Sequence, residues 1–290
     1  MADNTFLRIF RFGAALSGSI LLAGCASHES GEQARTESFQ PFEGIKVGSD
    51  SIRSYTIDRT AILIAGIEQA TISPSTGENT SKVSYDGKPS GFGSAVAIDP
   101  RGYFLTAAHC IDGPHVTLLM MRDNGLESFS ARVVYLGDPD SEVADIAILH
   151  IQQGLNDAFT WSASAQLNEP VISAGSWDRS SSNTDQESSV RIRMSLIGGH
   201  IVDLGDYSEG GINYRKIEHE SPIIMGYSGG PLINTGGELL GINLAGTDFF
   251  IDPFNLVPEI AEASRPDLDW LTQTIDQDYR QLSNEQALNR

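Results

Sequence analysis

Three short stretches carry side chains that could cleave an amide if folding brought them together. Leu105-Thr106-Ala107-Ala108-His109-Cys110 places an imidazole directly after a β-prone run, behind small residues that let it sit close to a neighbour. Ala144-Asp145-Ile146-Ala147-Ile148-Leu149 opens an otherwise apolar strand on a carboxylate, which is costly to bury unless it is paired. Gly226-Tyr227-Ser228-Gly229-Gly230-Pro231-Leu232 sets a hydroxyl on a tight turn where backbone N–H groups can point at one spot. Amide hydrolysis needs a nucleophile, a base, a group that orients the base, and donors for the oxyanion. Taken singly, each stretch has a plainer reading: a surface or core histidine, a turn aspartate at a strand start, a glycine-rich turn. Taken together they make one site. Asp145 follows His109 by 36 residues and Ser228 follows Asp145 by 83, enough chain for His and Asp to come from one barrel and Ser from a second.

The elements around them read as short strands. Val83–Tyr85, Ser94–Ile98, Tyr103–Thr106, Val116–Met121, Ala131–Leu136, Ile146–Ile151 and Val171–Ala174 are β-prone runs, several of them bounded by turn signals such as Asp99-Pro100-Arg101-Gly102. Val190–Ile197 alternates with a period of two, as a half-buried strand does. Leu232–Asn234 and Glu238–Leu244 flank Thr235-Gly236-Gly237 and read as a hairpin. Regular short strands with turns point to an all-β barrel or sandwich. Ser51–Gln69 fits either helix or strand. Asn255–Ala263 and Asp267–Arg280 are expected as terminal helices.

Composition bounds the partners. The 290 residues carry 19 Lys+Arg against 38 Asp+Glu, a net charge of −19, which argues against nucleic acid because phosphate binding needs a basic stripe. Hydrophobic residues are 40% and charged residues 20%, enough apolar material for a real core. The acidic surplus reads as a solvated surface that keeps the chain soluble. No H-E-x-x-H, paired-Cys or EF-hand pattern marks a metal site.

The first residues read as an address. Arg8 and Arg11 precede an uncharged run from Phe12 to Gly24, too short for the roughly 20 residues of a membrane span and suited to a signal-peptide core. The run ends Leu22-Ala23-Gly24-Cys25, which resembles a bacterial lipobox; an ordinary secretory signal followed by a chance cysteine is the alternative. The resemblance implies acylation of Cys25 and a membrane held through lipid. By the sorting rule that goes with this resemblance, Ala26 in the next position implies the outer membrane, facing the periplasm or the exterior. Acylation leaves Cys110 alone, as a small buried hydrophobe with no disulfide.

With these residues in view, the chain resembles a chymotrypsin-fold, trypsin-like serine protease of the HtrA-type branch. The resemblance rests on Gly91-Phe92-Gly93-Ser94-Ala95-Val96, Leu105–His109, Ala131–Leu149, Gly226–Leu232 and Gly241-Ile242-Asn243, within about 83–262. It implies two packed six-stranded antiparallel β-barrels with the site in the cleft between them, and no cofactor. It makes Ser228 the nucleophile, His109 the general base and then acid, and Asp145 the group that fixes the His tautomer. The N–H groups of Gly226 and Ser228 become the oxyanion hole. Leu244, Ala245 and Gly246 become the edge that pairs with a polypeptide substrate. Tyr227 stands where animal relatives carry an acid that pairs with a new N-terminus, so no such activation is implied. Pro222 stands where enzymes cutting after Lys or Arg carry an acid, so a small or aliphatic residue is expected before the scissile bond. The roughly 25 residues after position 265 are too few for the PDZ domain usual in this branch. The expected organisation is a leader over 1–24, a flexible tether over 25–50, an extension over 51–82 leading into the barrel, a protease domain over 83–265 and a helical tail over 266–290.

Two other readings use the same residues. Gly226-Tyr227-Ser228-Gly229-Gly230 also satisfies the G-x-S-x-G elbow of α/β-hydrolases, but that fold needs the order Ser, acid, His, and none of the six histidines follows Ser228. A protease fold that has lost activity could serve as a binding module at the envelope.

Overall fold

Thr60–Ala65 is buried throughout and, from Ala61 on, apolar on both faces, which is why its sequence carries no alternation. In this strand, β1, Ala61, Leu63 and Ala65 face the inside of a barrel. Ile62 and Ile64 face outward, where Val83 of a two-stranded sheet covers them. The description of the computed structural model covers residues 50–67, 70–74, 81–85, 89–122, 125–177, 193–223, 226–246 and 260–288. The leader, the tether up to 49 and Cys25 lie outside the described residues.

The expected all-β architecture of two closed six-stranded antiparallel barrels is the one observed. The first barrel closes in the order β1, β4 (Gly91–Asp99), β5 (Tyr103–Thr106), β8 (Ala147–His150), β7 (Gly125–Leu136) and β6 (Val116–Arg122). The covering sheet is β2 (Ala70–Pro74) with β3 (Ser81–Tyr85). Residues 51–82 therefore do more than lead into the barrel. After a short helix α1 (Asp50–Ile57), they supply β1, which pairs with both β4 and β6.

The second barrel closes in the order β10 (Arg193–Glu209), β11 (Ile212–His219), β14 (Ala261–Pro266), β13 (Leu239–Gly246), β12 (Pro231–Asn234) and β9 (Pro170–Trp177). Val171, Ile201, Ile217, Leu232, Leu240 and Ala263 fill it. Each Val, Ile or Leu among them contributes about 1.5–3 kcal/mol when fully withdrawn from water. The expected hairpin is β12–β13, and Asn234 Oδ1 fixes its turn by accepting the N–H groups of Gly236 and Glu238, each at 3.0 Å.

Two expectations are corrected here. The helix expected over 255–263 is not formed at its described end: Ala261–Ala263 belong to β14, filling the slot between β11 and β13. Two open strand edges there outweigh the helix propensity of Ala261-Glu262-Ala263. Residues 255–259 lie outside the described residues. The strand expected at 190–197 is formed from Arg193, residues 190–192 lying outside the described residues, and it runs on to Glu209 and turns through Gly210-Gly211, both at positive φ, into β11. A Gly-Gly pair between β-prone runs is the hairpin signal that identifies this turn.

The tail helix forms as α2 (Leu268–Leu288), longer than the periodicity indicated. Asp267 caps it by accepting the Trp270 N–H at 2.8 Å. It leaves the second barrel and straps the first: Asp278 holds the Arg132 guanidinium at 2.6 and 2.9 Å and accepts the Tyr103 hydroxyl at 2.8 Å. Among the described residues, no helix is long and apolar enough to cross a membrane.

Candidate active site

His109 sits in a single 3₁₀ turn, Ala108–Cys110, that ends β5. Asp145 lies one residue before Ile146, at the mouth of β8, which pairs with β5. Adjacent strands thus bring together two residues 36 apart. His109 Nδ1 is 2.5 Å from Asp145 Oδ2, and the His109 backbone N–H donates to Asp145 Oδ1 at 2.8 Å. Both carboxylate oxygens are engaged, and the Ala108 N–H donates to the Asp145 carbonyl at 3.3 Å. The Asp145 side chain is 6% exposed and that of His109 38%, so the acid is walled in while the ring opens to solvent. Burial alone would push the imidazolium down. The Asp145 carboxylate, with the neighbouring Cys110 thiol, outweighs it and holds His109 well above its ordinary value.

The loop carrying Asp145, between β7 and β8 of the first barrel, is fixed by its own Ser141 and by the second barrel. Ser141 Oγ accepts the N–H groups of Val143 at 3.2 Å and Ala144 at 2.9 Å, and donates to Glu209 of β10 at 2.8 Å. Ser264 of β14, fully buried, donates to the Val143 carbonyl at 2.7 Å. Lys216 of β11 reaches Glu142 at 3.2 Å. Ser141 and Ser264 carry no motif, so sequence reasoning passed over both; their role appears only across the barrel interface.

Ser228 enters from the second barrel on the turn before β12. Its carbonyl accepts the Ser94 N–H at 2.8 Å, and the Ser94 hydroxyl donates to the Gly226 carbonyl at 2.7 Å. Gly229 has φ +78°, and a Cβ there would strike Ser94 O and Thr106 Oγ1. Gly93 is equally constrained, because a Cβ on it would come within 2.5 Å of Cys110 Sγ and 2.8 Å of Ser228 O. Cys110 is buried, as expected, and its thiol lies 3.8 Å from the Ser228 carbonyl. The Ser228 backbone is thereby packed against the residue next to His109.

The Ser228 hydroxyl is turned elsewhere. It donates to the Leu244 carbonyl at 3.3 Å, and no hydrogen bond joins it to His109 among the described residues. The N–H groups of Gly226 and Ser228 meet no acceptor among the described residues, whereas those of Gly229 and Gly230 are taken by Asn243 O and Tyr227 O, each at 2.7 Å. Asn243 also donates its own N–H to Gly230 O at 2.8 Å, so its main chain brackets the turn. Leu244, Ala245 and Gly246 end β13. Ala245 and Gly246 pair with β14 on one side, while β12 stops opposite Ile242 and leaves the other edge unpaired among the described residues. Tyr227 is fully buried, its backbone and ring filling the space a Cβ on Gly175 would need. His219, also fully buried, is pushed down to about 4 by burial and is neutral at pH 7. Among the described residues, no group of three or more His, Cys, Asp or Glu could hold a metal ion.

Two six-stranded barrels with a His–Asp pair beside a glycine-flanked serine define a chymotrypsin-like protease fold. The chain belongs to the trypsin-like peptidase domain family, whose model matches residues 93–242. Among its relatives, HhoA of Synechocystis sp. is 30% identical over 159 residues, covering 53% of this chain and 37% of HhoA. The periplasmic serine endoprotease DegP of Escherichia coli is 30% identical over 155 residues, covering 53% of this chain and 30% of DegP. The chain thus spans little more than a third of the one and under a third of the other. The MamO protease domain from Magnetospirillum magneticum shares the fold, with a TM-score of 0.50 at 16% identity, over 76% of this chain and 98% of that domain.

Proposed function

We propose that this protein is a serine endopeptidase of the bacterial cell envelope that hydrolyses polypeptides through an acyl-enzyme. The observation that carries the reading is the His109–Asp145 pair, with both carboxylate oxygens engaged, set beside a turn whose Gly226 and Ser228 N–H groups meet no acceptor among the described residues. Ser228 is the nucleophile. A rotation about its Cα–Cβ bond takes Oγ from the Leu244 carbonyl to the open side of the His109 ring. His109 then accepts the hydroxyl proton through Nε2 and returns it to the leaving amine, while Asp145 holds Nδ1–H and stabilises the imidazolium. The Gly226 and Ser228 N–H groups receive the oxyanion; one such donor is worth about 2.7–4 kcal/mol in the transition state. The free edge of Leu244, Ala245 and Gly246 pairs with the substrate backbone. A substrate N–H bound to the Leu244 carbonyl displaces the Ser228 hydroxyl from it.

Labelling of the full chain by a fluorophosphonate, lost in Ser228→Ala together with peptide hydrolysis, tests this reading. A Ser228→Ala variant that keeps more than a trace of turnover overturns the nucleophile. The Ser228–Leu244 hydrogen bond favours a second reading, a silent protease-fold binding module. A folded wild type that the probe leaves unlabelled supports it.

The leader-like N-terminus and a relative named as periplasmic support an envelope location. In this proposal Cys25 carries the lipid that holds the protein on the membrane. Cys25→Ser then moves the protein to the soluble fraction, and retention on membranes places the anchor elsewhere.

A further inference from the structure

The outer side of the second barrel has a cavity of about 550 Å³ where the β10–β11 hairpin meets the junction of β14 and α2. Tyr207, Asn213, Arg215, Arg265, Asp267 and Leu268 are among the residues that line it. Its volume falls within the range of sites for small ligands. None of the residues assigned to peptide hydrolysis is part of it.

Two guanidiniums meet here. Arg215 and Arg265 are register partners on the antiparallel pair β11–β14, an arrangement that costs stability for like charges. Arg215 is neutralised by Asp206, with Nε at 2.9 Å and Nη2 at 3.2 Å from its two carboxylate oxygens. Arg265 has no carboxylate within ion-pair distance among the described residues. Its Nη2 donates to the Ser162 carbonyl at 2.8 Å, its plane lies near the Trp161 ring, and its Nη1 is buried with no hydrogen-bond partner. Burial and the neighbouring Arg215 both push the Arg265 guanidinium down. The nearest acid in sequence, Asp267, is occupied as the cap of α2. The two acids that line the cavity, Asp206 and Asp267, are engaged by Arg215 and by the α2 cap, so Arg265 there has no carboxylate of its own, a standing cost that a bound anion would offset.

We propose that this cavity is an accessory binding site for a carboxylate carried on a peptide, with Arg265 as its anchor. A planar carboxylate matches the guanidinium fork, and Tyr207, 47% exposed at the rim, offers a face for an adjoining apolar or aromatic residue. The site would hold an acidic side chain or a C-terminus of a polypeptide away from the cleft. Binding here does not depend on turnover, so it stands apart from the peptidase reading.

The test uses the full chain carrying Ser228→Ala, titrated with N-acetylphenylalanine and, separately, with its amide. Binding is read by calorimetry and by the Arg265 Nε–Hε resonance in ¹⁵N spectra. The acid is expected to bind saturably at millimolar concentrations and shift that resonance, and the amide to do neither. Arg265→Gln is expected to weaken the acid by about tenfold or more, with Tm within a few degrees of the parent. Should that variant not fold, the resonance of the parent and the Arg265→Lys variant, expected to bind several-fold more weakly, carry the same information. Equal binding of acid and amide, no shift of the Arg265 resonance, or undiminished binding in Arg265→Gln overturns the proposal. Inorganic phosphate is the third arm. If it binds more tightly than the acid with the same dependence on Arg265, the peptide assignment is overturned in favour of a phosphate site.

Discussion

Ser94 of the first barrel donates its backbone N–H to the carbonyl oxygen of Ser228 of the second, at 2.8 Å. Through this bond, and that of the Ser94 hydroxyl to Gly226 O at 2.7 Å, the strand that packs beside His109 also sets the turn that carries the hydroxyl. The two halves of the site are registered directly, backbone to backbone.

Asp145→Asn removes the charge from the pair and keeps its shape. Loss of the correct His109 tautomer lowers kcat by about 10⁴-fold. Because Asp145 holds His109 above its ordinary value, the rising limb of kcat/KM against pH lies above about 6.5 in the wild type and returns toward it in the variant. A folded pKa above the unfolded one also means that His109 contributes stability that is fully present below about pH 6.5 and lost as pH rises through the folded value. A rising limb that does not move in Asp145→Asn contradicts this account.

Ser264→Ala leaves the Val143 carbonyl without its buried donor, two residues from Asp145. The expected cost is about 1–2 kcal/mol of stability. If Ser264 positions the Asp145 loop, kcat falls, the acid limb of the pH profile shifts down, and Ser264→Thr restores both. An unchanged profile in a variant that is only less stable assigns Ser264 to packing alone.

Gly229→Ala forces a side chain into a left-handed backbone conformation and against Ser94 O and Thr106 Oγ1. A loss of at least about 2 kcal/mol is expected by denaturant titration, with turnover abolished because the turn carrying Ser228 must shift. Wild-type stability and activity in this variant would show that the turn is far softer than its packing implies.

His219 is neutral in the folded chain, pushed down to about 4, against about 6.5 when unfolded. The unfolded chain therefore binds the proton first. The stability this residue contributes is present above about pH 6.5 and is lost progressively as pH falls toward 4, by a few kcal/mol at most. His219→Gln is expected to flatten the decline in Tm over that interval. An equally steep decline in the variant assigns the acid sensitivity to other groups.

Much of this was readable without coordinates because it depends on local order. The residues on either side of His109, Asp145 and Ser228 announce a strand end, a strand start and a glycine-rich turn, and their succession fixes which barrel each belongs to. The strands Tyr103–Thr106 and Leu232–Asn234 were read at or within a residue of their bounds, since short apolar runs ended by turn residues leave little choice. β1 stayed ambiguous because it is buried on both faces, which erases the alternation a strand is recognised by. β14 carries no strand signal of its own because the strand is selected by its neighbours β11 and β13, remote from it along the chain or across a long connection. The same distance hid what Ser94, Asn243 and Ser264 bond to, since their partners are main-chain groups that every residue possesses, and it hid the Ser141–Glu209 bond between the barrels.

By itself, then, the sequence determined which functional groups the molecule owns, the order in which they occur and the kind of sheet that presents them, since these follow from residue type and near-neighbour spacing. Only the tertiary structure decided that Asp145 would be sealed from water while His109 stayed open, that the Ser228 hydroxyl would rest on the Leu244 carbonyl, and that the acids lining the Arg265 cavity would be engaged by other groups. Those outcomes depend on burial and on distances between atoms remote along the chain. Hydrogen bonds and charges are strong or weak according to such surroundings, and the surroundings exist only once both barrels have closed.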